Sequence, residues 1–287
     1  MTKPRLLLVH AHPDDETINN GATMAMYADK GYGVTLVTCT RGEEGEVLVP
    51  ELEHLASNRE DALGQHRETE LADAMKILGV TDHRFLGWPS TKYRDSGMMG
   101  SEPNQREDNF WNAQLDEAAE HLVAIILEIK PHVLVTYDEF GGYGHPDHIQ
   151  AHRVAMRAAE LARPRGWSIQ KIYWNTIPIS VIESGIEAMK DTGNQFFGVE
   201  KAEDFPFAQP DALVSTVIDG EKYVSQKMNA MKAHPTQIAV DGPFFALSDN
   251  LGFKVWGLEF YRLVYGELGA DRNSDGRETD LFSGVTP

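Results

Sequence analysis

Two short stretches of this chain hold residues able to grip a divalent ion and move a proton. The first, Val9 to Glu16, reads Val-His-Ala-His-Pro-Asp-Asp-Glu, and the second, Gly141 to His148, reads Gly-Gly-Tyr-Gly-His-Pro-Asp-His. His12 and Asp15 are separated by two residues across a turn, short enough to aim an imidazole and a carboxylate at one point. His145 and His148 stand at i and i+3, so with Pro146 at the first helical position both rings face the same side. Imidazole and carboxylate donors without thiolates, with a fourth position open, compose a catalytic zinc site, and His12, Asp15 and His148 make such a set. Either fragment alone is weak evidence, because Asp-Asp pairs and His-x-x-His spacings recur by chance. Their joint occurrence after two apolar runs is far more specific.

Those apolar runs are the elements that must position the chemistry. Leu6 to Val9 reads as a buried strand of a parallel sheet, and Pro13, which cannot donate to a sheet ladder, forces the chain out of the sheet. His12, Asp14, Asp15 and Glu16 are thereby set down at the carboxyl edge, where open α/β sheets bind ligands. A helical spacing over Thr17 to Lys30 stops at Gly31, and the β-branched run Gly33 to Cys39 completes one βαβ unit. An acidic, glycine-broken loop from Arg41 to Val47 leaves the second strand on the same rim. Helix over Asn58 to Leu78, a short strand at Arg84 to Leu86, helix over Asp116 to Lys130, strand over Pro131 to Tyr137 and helix from the second cluster to about Leu161 follow. Between them, Gly87 to Asn109 shows no periodicity, and a loop of that length inside a domain is usually a lid or binding loop.

The pattern predicts an α/β chain with a Rossmann-like, mostly parallel sheet and helices on both faces. Residues 1–162 form the expected catalytic core, and 163–287 a smaller C-terminal lobe packed on it that completes the pocket. In that lobe a strand is expected at Lys171 to Asn175, and a helix at Ser180 to Met189 opened by a capping box of Ser180 and Glu183. A variable loop at Asp191 to Pro210, a strand at Ala212 to Ile218, a helix at Glu221 to Ala233 and a strand at Lys254 to Tyr265 follow.

Composition narrows the function classes. With 287 residues, 41% hydrophobic and 24% charged, the chain is an ordinary globular one with enough apolar material for a sizeable core. Its 26 basic residues against 44 acidic ones give a net charge of −18, which repels nucleic-acid phosphates and anionic membranes. Cys39 stands alone, so no intrachain disulfide forms, and the short apolar run after Lys3 and Arg5 is no signal peptide or membrane span. A cytoplasmic protein acting on a small molecule is expected, and oligomeric state is left open.

Ala11-His-Pro-Asp-Asp-Glu16 together with His145-Pro-Asp-His148 resembles the signature of the zinc-dependent PIG-L/LmbE-like de-N-acetylases, which remove acetyl from N-acetylglucosamine conjugates. The similarity runs through Arg41 to Glu46, Arg94 to Met98, Gly141 to Gly144, Ala233 to Gln237 and Glu278 to Leu281. It is greatest to the branch of mycothiol biosynthesis acting on N-acetylglucosaminyl-inositol, and less around Tyr93 to Met98 to the sibling mycothiol S-conjugate amidases. The resemblance implies one zinc per subunit on His12, Asp15 and His148, with iron(II) the alternative in cells, and Asp14 as general base. It implies Tyr143 as an oxyanion donor and a protonated His145 with Asp147 as its partner, while either Asp14 or His145 delivers the last proton. Glu46, Arg67, Asp95 and Met98 match positions that hold the sugar and inositol.

Plainer roles fall to the neighbouring groups. His10 and His152 read as packing or supporting residues, Glu16 as a helix N-terminal charge, and His234 as either site support or a helix end. The competing class is a non-catalytic sugar- or nucleotide-binding α/β protein. Its nucleotide form lacks the glycine-rich phosphate loop, since His-Pro-Asp-Asp stands where G-x-G-x-x-G would be.

Overall fold

The computed structural model of the protein describes residues 3–189, 201–205, 208–240 and 257–287. Strand β1 (Arg5–His10) leads through helix α1 (Asp15–Asp29) to β2 (Gly33–Thr38), then through α2 (Leu63–Leu78) to β3 (Asp82–Phe85). Helix α3 (Leu115–Ile129), β4 (Val133–Thr136), the single turn α4 (Gly141–Gly144) and α5 (Pro146–Ala162) follow. Beyond them come β5 (Lys171–Pro178), α6 (Ile179–Met189), β6 (Ala208–Gln209), β7 (Thr216–Asp219), α7 (Val224–Lys232) and β8 (Leu258–Tyr265).

The sheet order is β3-β2-β1-β4-β5-β8-β7, with β6 paired to β5 off this path. The first five strands are parallel, and β8 runs antiparallel to both β5 and β7. Residues after 162, expected as an elaboration on the core, thus supply β5, β7 and β8 to the same sheet. Because side chains alternate across a strand, Leu6 and Leu8 of β1 enter one core with α1, α2 and α7, while Leu7 and Val9 enter another with α3 and α5. All four are fully buried, each stabilising the fold by about 1.5–3 kcal/mol, so β1 is held from both faces.

Chain order reverses beside β1, with β2 on one flank and β4 on the other, which makes the crevice outside their carboxyl ends the switch point of the sheet. The loops that carry both chemical clusters leave there. Several elements depart from the expected bounds. Helix α2, expected from Asn58, begins at Leu63, after a turn in which Asp61 takes the left-handed φ of 52°. The expected capping box of α6 does not form: Ser180 lies inside the helix and its hydroxyl turns to Asp211. The strand expected from Ala212 starts at Thr216, after a 3-10 turn at Asp211–Leu213. Part of the 191–210 loop and residues 254–256 of the last expected strand lie outside the described residues. Among the described residues, no helix is long and apolar enough to cross a membrane.

Candidate active site

At the end of β1 the chain turns through Pro13 into α1, and the turn is strained. Asp14 adopts φ 121° and ψ −34°, outside the ordinary range of a residue with a Cβ. Its peptide is held on both sides, the N–H donating to Glu16 Oε2 at 2.9 Å and the carbonyl accepting from Thr17 and Ile18 at 3.0 and 3.1 Å. Asp15 then opens the helix, with Oδ2 accepting the backbone N–H of His12 at 2.9 Å. The turn therefore folds the carboxylate back onto the imidazole three residues before it.

On the other side of the crevice His145 caps α5, and Pro146 occupies the first helical turn where its missing N–H costs nothing. Gly141 makes this arrangement compact. Its φ is 64°, and a Cβ there would lie 2.6 Å from His148 Cβ and 2.7 Å from the Ile149 nitrogen, so only glycine lets the turn lie on the helix. Its carbonyl in turn meets His148 Nδ1 at 3.2 Å.

The three expected ligands converge. Asp15 Oδ2 lies 3.4 Å from His12 Nδ1 and 3.4 Å from His148 Nε2. Burial lowers the His148 pKa to about 4, against the pull of Asp15, so the ring is neutral. Its proton sits on Nδ1 toward the Gly141 carbonyl, which leaves Nε2 as a bare acceptor with no hydrogen-bond partner in a fully buried place. Two acceptors facing each other at 3.4 Å call for a cation between them, so these residues fit a metal ion. The far nitrogen of His12, Nε2, meets Asp147 Oδ2 at 3.2 Å and Asp95 Oδ1 at 3.6 Å. A ligating imidazole whose other N–H goes to a carboxylate is the usual supporting arrangement. Burial disfavours charge on His12, yet Asp95, Asp147 and Asp15 together raise its pKa well above the ordinary value, a mark of how strongly this pocket demands positive charge. His12, by charge and hydrogen bond, in turn helps to hold the Asp15 carboxyl well below its usual range despite burial.

His145 lies within the same cluster, its ring 4.7 Å from that of His12, but its role differs from the expected one. Its Nδ1 accepts the Asp147 backbone N–H at 3.1 Å, so the ring proton is on Nε2 and no lone pair remains for an ion. Burial, with His12 and His148 nearby, lowers its pKa to about 3, so it is a neutral donor rather than the expected imidazolium. Nor is the Asp147 carboxylate its partner: it is fully buried, facing His12 and accepting from Ser96 through both the backbone N–H at 3.0 Å and the hydroxyl. Burial, opposed by His12, raises the Asp147 pKa to about 6.

A cavity of about 420 Å³, ample for a disaccharide-sized ligand, opens over these groups. Asp14 lines it, its pKa raised to about 7 by burial against the nearby Arg67. Tyr143, 42% exposed, stands at the rim edge-on to His148 at 4.9 Å, and burial of its hydroxyl keeps the phenol protonated. Glu46, Arg67, Asp95 and Met98 all line the same cavity, but not equally. Met98 is 52% exposed and free to shape the mouth. Arg67 is 2% exposed and acts as a clamp, donating to the carbonyls of Gly42 at 2.8 Å and Pro13, with its guanidinium 3.4 Å from Asp14 Oδ1. Gly42, at φ 67°, is where that approach is made, since a Cβ there would overlap the guanidinium. Asp95 is also largely occupied, accepting from Gly97 and Glu44 backbone N–H groups at 2.8 and 3.2 Å.

Several contributors escaped sequence reasoning. Glu16, expected as a helix-end charge, is fully buried and pairs through Oε1 with His234 Nε2 at 3.0 Å, so the C-terminal segment braces the first cluster. Gln237, in the quoted Ala233 to Gln237 motif, lines the cavity. Ser96 lies within the Arg94 to Met98 stretch, but its role was not legible there, because only the folded loop brings it to Asp147.

Comparison with known proteins adds four findings. Residues 7–159 match the family model of the GlcNAc-PI de-N-acetylases, PIG-L. A protein of Geodermatophilus obscurus named 1D-myo-inositol 2-acetamido-2-deoxy-alpha-D-glucopyranoside deacetylase is 58% identical over 98% of both chains. One of the same name from Streptomyces avermitilis is 57% identical over 99% of this chain and 98% of its own. Among solved structures, the N,N'-diacetylchitobiose deacetylase of Pyrococcus horikoshii superimposes with a TM-score of 0.57 at 20% identity, covering 91% of this chain and 83% of its own, a likeness of fold.

Proposed function

This chain belongs to the PIG-L family of GlcNAc-PI de-N-acetylases, and from that premise we propose that it hydrolyses the acetamide of N-acetylglucosaminyl-inositol to acetate and glucosaminyl-inositol. The observation that carries this reading is the convergence of His12, Asp15 and His148 beneath a cavity whose wall bears Asp14, Tyr143 and His145. We assign zinc to that set, with iron(II) the alternative in cells. Such an ion supplies Lewis acidity, which eases deprotonation of water and polarises a carbonyl.

The chain's own groups account for the rest. Asp14, poised near neutrality, takes the proton of the attacking water. Tyr143 donates its hydroxyl proton in a hydrogen bond to the acetyl oxygen as negative charge gathers there, and His145 offers its Nε2–H to the same charge or to the departing nitrogen. Because His145 holds only the proton of its neutral ring, Asp14 is the better store for the proton that the leaving amine must receive. Met98, Glu46 and Gln237 face the sugar and its aglycone, while Arg67 and Asp95 chiefly hold the loops that present them. Residues beyond 162 complete this pocket through Gln237 and the His234 brace. A single buried thiol needs no oxidising compartment, and we place the enzyme in the cytoplasm.

Release of the free glucosaminyl amine from N-acetylglucosaminyl-inositol, measured beside its release from an S-conjugate of mycothiol, before and after chelation, tests the reading. Chelator-sensitive turnover that favours the inositol substrate is expected. Turnover indifferent to chelation, or preference for the S-conjugate, refutes the metal or the substrate assignment respectively.

A further inference from the structure

One fully buried side chain, outside every role given above, packs on one expected ligand and holds the backbone beside another. Tyr137 follows the last residue of β4, and the ring packs face-on against His148, with centroids 4.3 Å apart and planes 24° from parallel. Its hydroxyl accepts the backbone N–H of Ala11 at 2.9 Å, immediately before His12, and lies beside the Asp15 carboxylate. We propose that Tyr137 is the positioning residue of the metal site, setting the ring plane of His148, the backbone that carries His12 and the carboxylate of Asp15 from a single point. This inference rests on the metal-dependent reading above.

The hydroxyl is itself held. Asn20 donates through Nδ2 to Asn175 Oδ1 and Tyr261 Oη, both at 2.9 Å, so its Oδ1 faces His10 Nε2 at 2.8 Å and fixes the His10 proton there. His10 Nδ1 is then an acceptor, 3.2 Å from the Tyr137 hydroxyl. The one phenolic proton is directed to that nitrogen. His10 cannot be a ligand in this arrangement, since both of its nitrogens are engaged. Outer groups that orient metal ligands typically contribute about 10- to 100-fold in metal affinity. A residue that sets the ring of His148 and the backbone leading into His12 belongs in that range.

The test compares zinc affinity, by competition with a chelator of known affinity, in the full-length wild type, Tyr137→Phe and Tyr137→Leu. Visible spectra of the cobalt(II)-loaded forms report the coordination itself, and circular dichroism of the metal-free forms reports folding. The Phe variant, which keeps the ring and loses the hydroxyl, is expected to bind zinc about tenfold more weakly, and the Leu variant about 100-fold, with shifted cobalt bands. KM for the acetylated substrate at saturating zinc stays unchanged in the Phe variant. Folded variants with wild-type zinc affinity and wild-type cobalt bands overturn the proposal. Where a Tyr137 variant fails to fold, His10→Gln, which leaves the stack of Tyr137 on His148 in place and alters the partner of the hydroxyl together with the bond to Asn20, must weaken zinc binding several-fold; unchanged affinity overturns the proposal. A wild type that binds no zinc defeats the metal reading itself and this inference with it.

Discussion

Replacing Asp147 distinguishes the structural account of this residue from the role its sequence position suggests. Its carboxylate receives His12 Nε2 at 3.2 Å, the Ser96 N–H at 3.0 Å and the Ser96 hydroxyl, all out of contact with water. Asp147→Asn can keep the same shape, with its carbonyl oxygen toward His12 and the Ser96 N–H and its amide toward the Ser96 oxygen. What disappears is the charge. Hydrogen bonds to an ionised group contribute about 1.5–3 kcal/mol and neutral ones about 0.5–1.5, so the His12 bond weakens by roughly 1–1.5 kcal/mol. At about 1.36 kcal/mol per factor of ten, zinc affinity falls roughly tenfold. Asp147→Ala leaves the Ser96 N–H buried without a partner and His12 Nε2 with only the more distant Asp95 carboxylate, at about 1–3 kcal/mol each, and affinity falls on the order of 100-fold or more. Zinc competition titrations, followed by kcat and KM at saturating zinc, read both variants. If Asp147 served His145 instead, Asn would lower kcat at saturating zinc and leave zinc affinity where it was; that result would refute the reasoning.

Three further outcomes are expected. Tyr143→Phe removes one donor to the developing oxyanion and lowers kcat by about 10²- to 10³-fold with KM little changed, as steady-state acetate release would show. Lys227→Met breaks an ion pair in which both side chains are 2% exposed and 2.7 Å apart, leaving Glu259 charged against the middle of α1. A loss of about 3–5 kcal/mol and a fall in Tm of roughly 6–15 °C follow, checked by thermal unfolding, and Glu259→Gln in the same chain should recover part of it. For His234, burial pulls the pKa down but Glu16 outweighs it, so the folded value lies above the 6.5 of a free imidazole. The pair's contribution is therefore fully present below pH 6.5 and is lost as pH rises through the folded value, so Tm should decline over that window in wild type and less steeply in His234→Gln.

The sequence alone determined the architecture of the site's floor. Four apolar residues from Leu6 to Val9 demanded a strand buried on both faces, Pro13 ended it, and Gly141 to Pro146 opened a helix on a second strand, because these signals act over a few residues of backbone. Types and spacing also put forward His12, Asp15 and His148 as a candidate set, since a ligand set is a question of donor chemistry and local reach, and the structure brings these three side chains together. What they could not supply was the partner of each group. Asp147 sits two residues from His145 in the chain yet spends its carboxylate on His12 and Ser96, which lie 135 and 51 residues away. Arg67 became a loop clamp, Glu16 a partner of His234, and Tyr137 a ring stacked on His148, each by contacts that close only when distant strands and loops pack. In a buried site a hydrogen bond goes to whichever partner the packed backbone brings within about 3 Å, and that choice is made by tertiary structure.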